Sequence, residues 1–284
     1  MSIRSTRAPR PQTVLEVLRT ERLGPHLVRI TAGGPGFAAF QPNDFSDPYI
    51  KIYFAKPELG LVPPYDLLEL RMRLAPDDLP VTRTYTVRSV DHVEGSIAID
   101  FVVHGDEGLA GPWAASAQPG DSVVFGGPGG GFKPDPEADW YLLAGDESAL
   151  PAIASSLEAM PADAAGVALI EVYGPDDELD LAAPAGIDIR WLHRGEAASG
   201  ASTILVDSVA ALDWREGRVQ VFAHGERESM KALRDIFFSV RGLERYQVSL
   251  SGYWAYGRSE DRFQAEKREP IGQILLEAAP PAAG

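Results

Sequence analysis

One short segment combines side chains that could hold a flat, charged cofactor; it reads Arg-Thr-Tyr-Thr-Val-Arg from residue 83. In a β-strand alternate side chains share a face, so Arg83 and Tyr85 point one way while Thr84, Thr86 and Arg88 point the other, unless a bulge resets the register. A guanidinium fork suits a diphosphate, and an aromatic ring stacks on a flat heterocycle. A neighbouring hydroxyl can hydrogen-bond the edge of that heterocycle. The spacing fits an exposed amphipathic strand equally, so both interpretations stay open at this point.

The composition limits which chemistry such a segment could serve. The chain has no cysteine, which excludes disulfides, thiolate nucleophiles and a cysteine-bound iron–sulfur cluster, and its five histidines show no metal-ligand spacing. Redox work would therefore require an organic cofactor. A net charge of −15 argues against a nucleic-acid partner. No apolar run is long enough for a membrane span and no secretory signal is recognisable, so a cytoplasmic location is expected.

The elements that must position these residues fall into two halves. At 284 residues the chain exceeds the usual size of a single core. Residues 1–134 hold 13 Lys and Arg against 15 Asp and Glu, whereas residues 135–284 hold 13 against 26. The sequence predicts a flexible arm at 1–11, one domain at 12–134 and a second at 135–284.

The two predicted domains differ in their pattern. The first has six short segments rich in β-branched and aromatic residues, which predict a small antiparallel barrel, and one short helix from 109 to 117. The glycine-rich run 126–131 lacks the residues of a phosphate-binding loop and is expected to be a linker or tight crossover. In the second half strands alternate with helices, which predicts a parallel sheet, followed by a C-terminal helix over 259–277 that breaks at Pro270.

Six ordered blocks resemble the siderophore-interacting proteins, also called ferric-siderophore reductases, of the ferredoxin–NADP reductase superfamily. The blocks lie at 47–51, 83–88, 100–105, 108–114, 145–151 and 252–254. The resemblance implies a six-stranded FAD-binding barrel followed by an α/β domain that binds NADH or NADPH. It implies that Arg83 binds the FAD diphosphate, Tyr85 packs on the flavin, and Thr86 bonds the flavin edge as a catalytic contact. The further cofactor contacts that it implies are Lys51, Val87, Arg88, Asp100, Val102, His104, Gly108, Leu109, Ala110, Gly111, Trp113, Asp146, Glu147, Ser148, Tyr253 and Trp254.

The sequence departs from the family at the start of the short helix. The family usually has a hydroxyl residue and then a basic residue before the tryptophan, whereas this chain has Gly111 and Pro112 before Trp113. Backbone N–H groups at a helix start can still bind a diphosphate, but one side-chain contact is lost and proline removes one donor. We expect Arg83 to compensate for that loss.

The acidic turn of Asp146, Glu147 and Ser148 follows the first strand of the second half. Two carboxylates repel a diphosphate, so the turn suits the uncharged nicotinamide end, with Glu147 and Ser148 as catalytic candidates close to the flavin edge. Alternatively, the turn only caps a helix, with Ser148 as the N-cap. Gly225 is a candidate for close approach to the dinucleotide. Arg194 is either a contact to an adenosine phosphate or an ordinary surface arginine.

The C-terminal region leaves two further alternatives open. Tyr253 and Trp254 either shield the flavin or pack against the C-terminal helix. The resemblance places siderophore contacts in this region, which makes Arg258, Arg262 and Lys267 substrate candidates, although intrahelical ion pairs explain the same residues. The expected function is reduction of a ferric siderophore, with NAD(P)H, or alternatively ferredoxin, as donor. A general flavoprotein reductase with another acceptor and a non-catalytic siderophore-binding flavoprotein remain as alternatives.

Overall fold

The computed structural model describes residues 11–104 and 108–275, so the predicted arm, apart from residue 11, lies outside the described residues. Within them the chain divides into two compact units. One comprises 11–22 and Val28–Gly130, and the other comprises Leu23–Leu27 and 131–275. Of the helices described in these ranges, none has the length and apolar character that crossing a membrane requires.

The first unit is built on a closed barrel, which confirms the predicted six-stranded antiparallel architecture. Its interior is filled by buried aliphatic and aromatic side chains that alternate along each strand, among them Ile30, Ile50 and Phe125. The strands are β1 (Gln12–Gly24), β2 (Leu27–Gly33), β3 (Tyr49–Phe54), β4 (Val81–Asp91), β5 (Ser96–Val102) and β6 (Ser122–Gly129), and they close in the order β1-β2-β5-β4-β3-β6.

The first unit also contains two short helices, one of which the sequence analysis missed. Helix α1 (Leu67–Arg73) begins at Asp66, whose carboxylate accepts hydrogen bonds of 3.0 Å from the N–H groups of Leu68 and Glu69. An aspartate three residues before a glutamate is a recognisable helix-start signal. Helix α2 (Ala110–Ser116) corresponds to the helix predicted at 109–117.

The glycine-rich run is not a linker over its first four residues, so that expectation was wrong there. Residues 126–129 complete β6 and pair with β3. A Cβ at Gly129 would lie 2.5 Å from the Tyr49 ring, and one at Gly130 would lie 2.6 Å from Phe45. The glycines are therefore needed because aromatic rings lie directly on this backbone.

The second unit is a five-stranded parallel sheet, as predicted. Strands β7 and β8 are almost wholly buried, which explains their continuous apolar sequences. The elements are β7 (Trp140–Gly145), α3 (Leu150–Glu158), β8 (Ala165–Val172), β9 (Gly186–His193), α4 (Ile204–Ala210), β10 (Val219–Glu226), α5 (Arg227–Arg234), β11 (Val248–Trp254) and α6 (Glu260–Glu266), with the sheet order β11-β10-β7-β8-β9.

The C-terminal part of this unit contains an irregular helix and a helix that is shorter than predicted. Helix α5 continues as a π-helical turn, Asp235–Val240, and not as one regular helix. The predicted helix 259–277 is shorter, because α6 ends at Glu266 and only a 3₁₀ turn, Pro270–Gly272, follows it. Residues 276 and 277 lie outside the described part of the chain.

Candidate functional site

Strand β4 contains the bulge that the strict alternation of side chains did not include. Its pairing with β5 shifts between Val87 and Ser89, which makes Arg88 the extra residue. Thr86 and Val87, the two residues before the bulge, are both buried, with 7% and 1% of their surface exposed. The bulge therefore separates the orientation of Arg88 from that of Thr84 and Thr86.

Arg83 and Tyr85 share one face of the barrel sheet, as the alternation predicted. They lie opposite Ile52 and Ile50 of β3, respectively. The half-buried Tyr85 ring packs against Phe101, with 4.2 Å between ring centroids and 38° between the planes. One side of the tyrosine ring is thus occupied by the barrel core. The Arg83 Nη1 atom donates a 2.9 Å hydrogen bond to the backbone oxygen of Thr82.

The paired strands β3 and β4 carry three cations. Exposed Lys51 lies opposite exposed Thr84. The sequence Tyr49–Phe54 and residues 81–90 contain Lys51, Arg83 and Arg88 but no acid. Lys51 shares a face with Thr84, and Arg83 lies on the other face, so these stretches carry positive charge and no carboxylate, which favours an anionic ligand.

Asp100 has a different partner from the one expected. Both of its carboxylate oxygens accept hydrogen bonds from Arg29, from Nε at 2.6 Å and from Nη2 at 2.7 Å, and its side chain is only 2% exposed. This bidentate pair neutralises the one acid of β5. The Asp100 side chain thus stabilises the barrel and is not offered to a ligand.

The end of β5 and the start of helix α2 contain the next group of predicted cofactor contacts. Val102 is half-buried and His104 is exposed, while Gly108 has a φ of +79° that favours glycine. Helix α2 starts at Ala110, after Leu109, without a side-chain cap.

Close packing explains the glycine at position 111. A Cβ there would lie 3.1 Å from the Val102 carbonyl oxygen, so helix α2 sits directly on β5. The Trp113 ring packs edge-on against Phe54 at 5.4 Å and lies 5.6 Å from Phe101. The indole therefore fixes the helix on the barrel core.

In the second unit, Asp146 joins the carboxyl ends of three parallel strands. Its Oδ1 accepts from the N–H and the hydroxyl of Ser148, at 2.9 and 2.5 Å. Its Oδ2 accepts from the N–H of Glu226 at 2.8 Å and from the indole N–H of Trp254 at 2.9 Å. One carboxylate thereby connects the turn after β7 with the ends of β10 and β11.

These bonds correct two predictions. Ser148 is not the N-cap of α3, because its hydroxyl bonds to Asp146 and the helix begins without a side-chain cap. Gly225 makes room for the Asp146 carboxylate, since a Cβ there would lie 2.7 Å from Oδ2. Tyr253 and Trp254 are the last two residues of β11.

A second group of buried charges lies next to this turn. Arg194 donates through Nη1 to Glu147, and their side chains are 3% and 6% exposed, so Arg194 is not a surface residue. Burial raises the pKa of Glu147, with a further increase from Asp146 that Arg194 opposes. Burial likewise raises the pKa of Glu171 to about 7, again with Asp146 adding to the effect. Glu171 therefore takes up a proton close to neutral pH.

Replacing Glu171 with glutamine is expected to stabilise the protein at pH 8 by roughly 1–3 kcal/mol and to have little effect at pH 5. The folded-state pKa of about 7 exceeds the ordinary value of 4.5 for a glutamate. Between these two pH values the folded state therefore binds more protons than the unfolded state. Wild-type stability therefore falls as pH rises through this range. Glutamine stays neutral and can still accept the backbone hydrogen bond from Leu205. Urea denaturation at both pH values measures the difference.

The matched control is Glu137→Gln, since the Glu137 side chain is 86% exposed. It removes one negative charge without removing a buried one, so no pH-dependent difference is expected. An equal change for Glu171→Gln at pH 5 and pH 8 would show that Glu171 does not titrate in this range.

The hydroxyl of Tyr253 contacts a buried histidine that the sequence analysis did not single out. His224 Nδ1 lies 2.9 Å from this hydroxyl, and Nε2 lies 2.9 Å from the Ser249 hydroxyl. Burial lowers the pKa of His224 to about 3, so the ring is neutral at physiological pH. The histidine fixes the orientation of the Tyr253 side chain on β11.

A groove lies between the end of β9 and helix α4. Its volume is about 450 Å³. Three of its six polar side chains carry hydroxyls, and one is a carboxylate on α4. The polar residues that line it are His193, Arg194, Ser202, Thr203, Asp207 and Ser208.

The predicted substrate residues at the C-terminus have partners within this unit. Glu266, whose side chain is 1% exposed, accepts hydrogen bonds from Arg227 at 2.5 Å, Arg258 at 3.0 Å and Arg262 at 2.8 Å. The hydrogen bond from Arg227 is the main cause that lowers the pKa of Glu266 to about 2. Lys267 lies over an aromatic ring of α6, 4.6 Å from its centroid. Arg227 of α5 thereby anchors α6, whereas Arg262 pairs within the helix and Lys267 packs on it.

The structure thus adds polar residues with specific hydrogen-bond partners that the sequence analysis missed. Glu171 had a recognisable signal, because a charged residue inside the apolar sequence of a buried strand needs a partner. Asp207 and Glu266 had none, since acids on short helices are usually solvated. Their importance follows only from the elements that pack around them.

Two family models match successive parts of the chain. Residues 16–132 match the siderophore-interacting FAD-binding domain, and residues 138–257 match the siderophore-interacting protein model. The chain belongs to the siderophore-interacting protein family. The resemblance noted in the sequence is thereby confirmed, and the barrel is an FAD-binding domain.

Relatives and solved structures agree with this membership. Ferric vibriobactin reductase of Vibrio cholerae is 33% identical over 89% of this chain and 93% of its own. The NADPH-dependent ferric-chelate reductase of Escherichia coli is 34% identical over 84% of this chain and 91% of its own. The crystal structure of a siderophore utilization protein from T. fusca is 38% identical, with a TM-score of 0.78 over 88% of this chain and 95% of that one. A ferredoxin reductase in carbazole 1,9a-dioxygenase shares the fold, with a TM-score of 0.59 and 16% identity over 84% of this chain and 68% of that one.

Proposed function

We propose that this family member is an FAD-dependent reductase of ferric siderophores, which uses NADH or NADPH to reduce Fe(III) and release Fe(II) in the cytoplasm. The observation that carries the proposal is the set of three cations on β3 and β4 near Tyr85, with no acid in residues 49–54 and 81–90, within the matched FAD-binding domain. The names of the two reductase relatives supply the iron-complex substrate.

The residues of the barrel fit FAD in charge and shape. Arg83 would bind the diphosphate, with Lys51 as a further cation of β3, and the side of Tyr85 that does not contact Phe101 would lie against the flavin. Thr86 would bond the polar edge of the flavin, and Arg88 would bring a positive charge close to it. When bound, FAD accepts two electrons from a nicotinamide and passes them on singly, which an iron acceptor requires. Backbone groups of Val87, Val102, Gly108, Leu109, Ala110 and Gly111, with the His104 side chain, would complete the contacts.

The second unit fits a nicotinamide dinucleotide. Ligands of parallel sheets bind at the carboxyl ends of the strands, where Asp146, Glu147 and Trp254 lie. The acids there disfavour a diphosphate, so the uncharged nicotinamide is the part that suits this turn. Asp146 positions Ser148 and Trp254, and Glu147 is held by Arg194. No proton-transfer triad is needed for this reduction.

The substrate side of the proposal rests on chemistry common to such iron complexes. Fe(II) binds hard oxygen ligands far less tightly than Fe(III), so reduction releases the metal. Because Arg258 and Arg262 pair with Glu266 and Lys267 lies over the Phe263 ring, we do not assign the iron complex to them.

The test is anaerobic reduction of the purified holoprotein, with its released cofactor identified. We expect FAD in the protein, bleaching of its absorbance by NADH or NADPH, and trapping of Fe(II) by a chelator when a ferric siderophore is added. Reduction of a quinone but of no iron complex would replace the proposal with a general flavoprotein reductase. Flavin that stays oxidised with both nicotinamides, but is reduced by ferredoxin, would remove NAD(P)H as the donor. A protein that binds the siderophore but is reduced by no donor would be non-catalytic.

A further inference from the structure

We propose that the groove between β9 and α4 binds the adenosine ribose of the dinucleotide, and that Asp207 makes the protein prefer NADH to NADPH. The inference rests on the proposed function, because it assigns the donor of that reaction. It concerns only the second unit.

The position of the groove on the sheet supports this assignment. It opens beside His193, the last residue of β9, at the carboxyl end of an outer strand of the sheet. The acidic turn after β7 lies at the same end of the central strand. Because a dinucleotide extends across the carboxyl ends of such a sheet, an adenosine over β9 is compatible with a nicotinamide beside β7.

The side chains that line the groove suit a ribose. Ser202, Thr203 and Ser208 offer hydroxyls, and Asp207 offers the carboxylate among them. Its Oδ2 accepts a 2.8 Å hydrogen bond from the Thr203 hydroxyl, which holds the side chain in place and leaves further acceptor positions on both oxygens. A carboxylate is the usual acceptor for the free ribose 2′-hydroxyl, and it repels a 2′-phosphate.

The two basic residues that line the groove, Arg194 and His193, both contact acids. Arg194 is 3% exposed and donates to Glu147. His193 lies 2.7 Å from Glu178. With Asp207 and with Glu171, which lies under the start of α4, acids outnumber cations around the groove. A 2′-phosphate would add two negative charges beside these acids, whereas the guanidinium of the lining is buried against Glu147.

Arg194 is the lining residue whose guanidinium could reverse this preference for NADH. A guanidinium near a ribose accommodates a 2′-phosphate only if it points at it. To do so here, Arg194 would have to leave Glu147, and it would then leave the buried Glu147 and Glu171 without their counter-ion. The E. coli relative has NADPH in its name, so the choice of coenzyme is where this chain is proposed to differ.

The test compares NADH and NADPH as reductants of the holoprotein flavin in anaerobic stopped-flow measurements. We expect NADH to be favoured by about tenfold or more in kcat/KM. Asp207→Ala should bring the ratio close to one by weakening NADH about tenfold. Asp207→Asn keeps an acceptor without the charge, so it should retain NADH use and raise NADPH use. Asp235→Asn, at a side chain 63% exposed beyond α5, removes the same charge and should change neither.

A binding measurement separates this inference from the proposed function. Calorimetry with 5′-AMP and with adenosine 2′,5′-bisphosphate needs no electron transfer, and wild type should bind the monophosphate more tightly in an Asp207-dependent manner. If that holds while neither dinucleotide reduces the flavin, the groove assignment stands and the NAD(P)H donor fails. NADPH equal to or better than NADH in wild type would overturn the inference and leave the proposed function intact. Binding of neither nucleotide would also overturn it.

Discussion

Replacing Asp146 with alanine is expected to destabilise the parallel-sheet unit by about 3–5 kcal/mol. The Asp146 carboxylate accepts four hydrogen bonds from three segments of the chain. Alanine leaves the buried N–H of Glu226 and the indole N–H of Trp254 without an acceptor. Each buried donor that loses its partner costs about 1–3 kcal/mol.

Asparagine at the same position gives a graded comparison. Its one oxygen can replace Oδ2 and keep the bonds from Glu226 and Trp254. The amide then faces Ser148, whose hydroxyl can turn to accept while its N–H loses a partner. Asp146→Asn should therefore cost only about 1–3 kcal/mol, including the loss of charge assistance.

Urea denaturation measures both costs, and proton exchange of the Trp254 indole N–H gives a local readout. The exchange should accelerate strongly in Asp146→Ala and little in Asp146→Asn. Asp180→Asn, at an exposed position, is the matched control and should change neither quantity. Equal destabilisation by alanine and asparagine would contradict the assignment of Asp146 as the acceptor that joins these strands.

The elements of both units were predictable because their apolar patterns are strong. Segments rich in β-branched and aromatic residues predicted the strands of the barrel, and the alternation of strands with helices predicted the parallel sheet. Helix α1 was missed although Asp66 and Glu69 mark its start. The glycine-rich run was misassigned because its requirement for glycine comes from the rings of Phe45 and Tyr49, which are far away in sequence.

The candidate site likewise combines features that are local in the sequence with features that depend on distant residues. The segment around Arg83 and Tyr85 is local, so its side chains and their alternation could be stated from one strand. The bulge at Arg88 depends on the register with β5 and was left open as a condition. The partners of Asp100, Arg194 and Glu266 lie 71, 47 and 39 residues away. No periodicity in the sequence encodes such pairs, which is why the roles of these charged residues changed most.

The segment around Arg83 carries the second large prediction. The double variant Arg83→Ala with Tyr85→Ala is expected to purify largely colourless, with FAD affinity lowered by a factor on the order of 100 or more. The guanidinium supplies a forked, charge-assisted contact to a diphosphate, and the tyrosine ring supplies the stacking surface. FAD content per chain and the affinity for added FAD measure the loss.

Matched variants separate these contributions from a loss of folding. Tyr85→Phe preserves the ring and its contact with Phe101, so it should keep most of the FAD. Arg83→Lys keeps the charge but loses the fork, so an intermediate affinity is expected. Arg71→Ala removes one exposed cation from α1 and should leave FAD content unchanged. Circular dichroism of the colourless double variant should show that the barrel is still folded.

The start of α2 explains why so much depends on Arg83. Gly111 lies against the Val102 carbonyl and Pro112 has no N–H, so this helix contributes no side-chain cation to a diphosphate. Pro112→Arg should therefore restore part of the FAD affinity in an Arg83→Ala background, because it returns a cation to the helix start. A double variant of Arg83 and Tyr85 that retains one FAD per chain would show that β4 does not hold the cofactor.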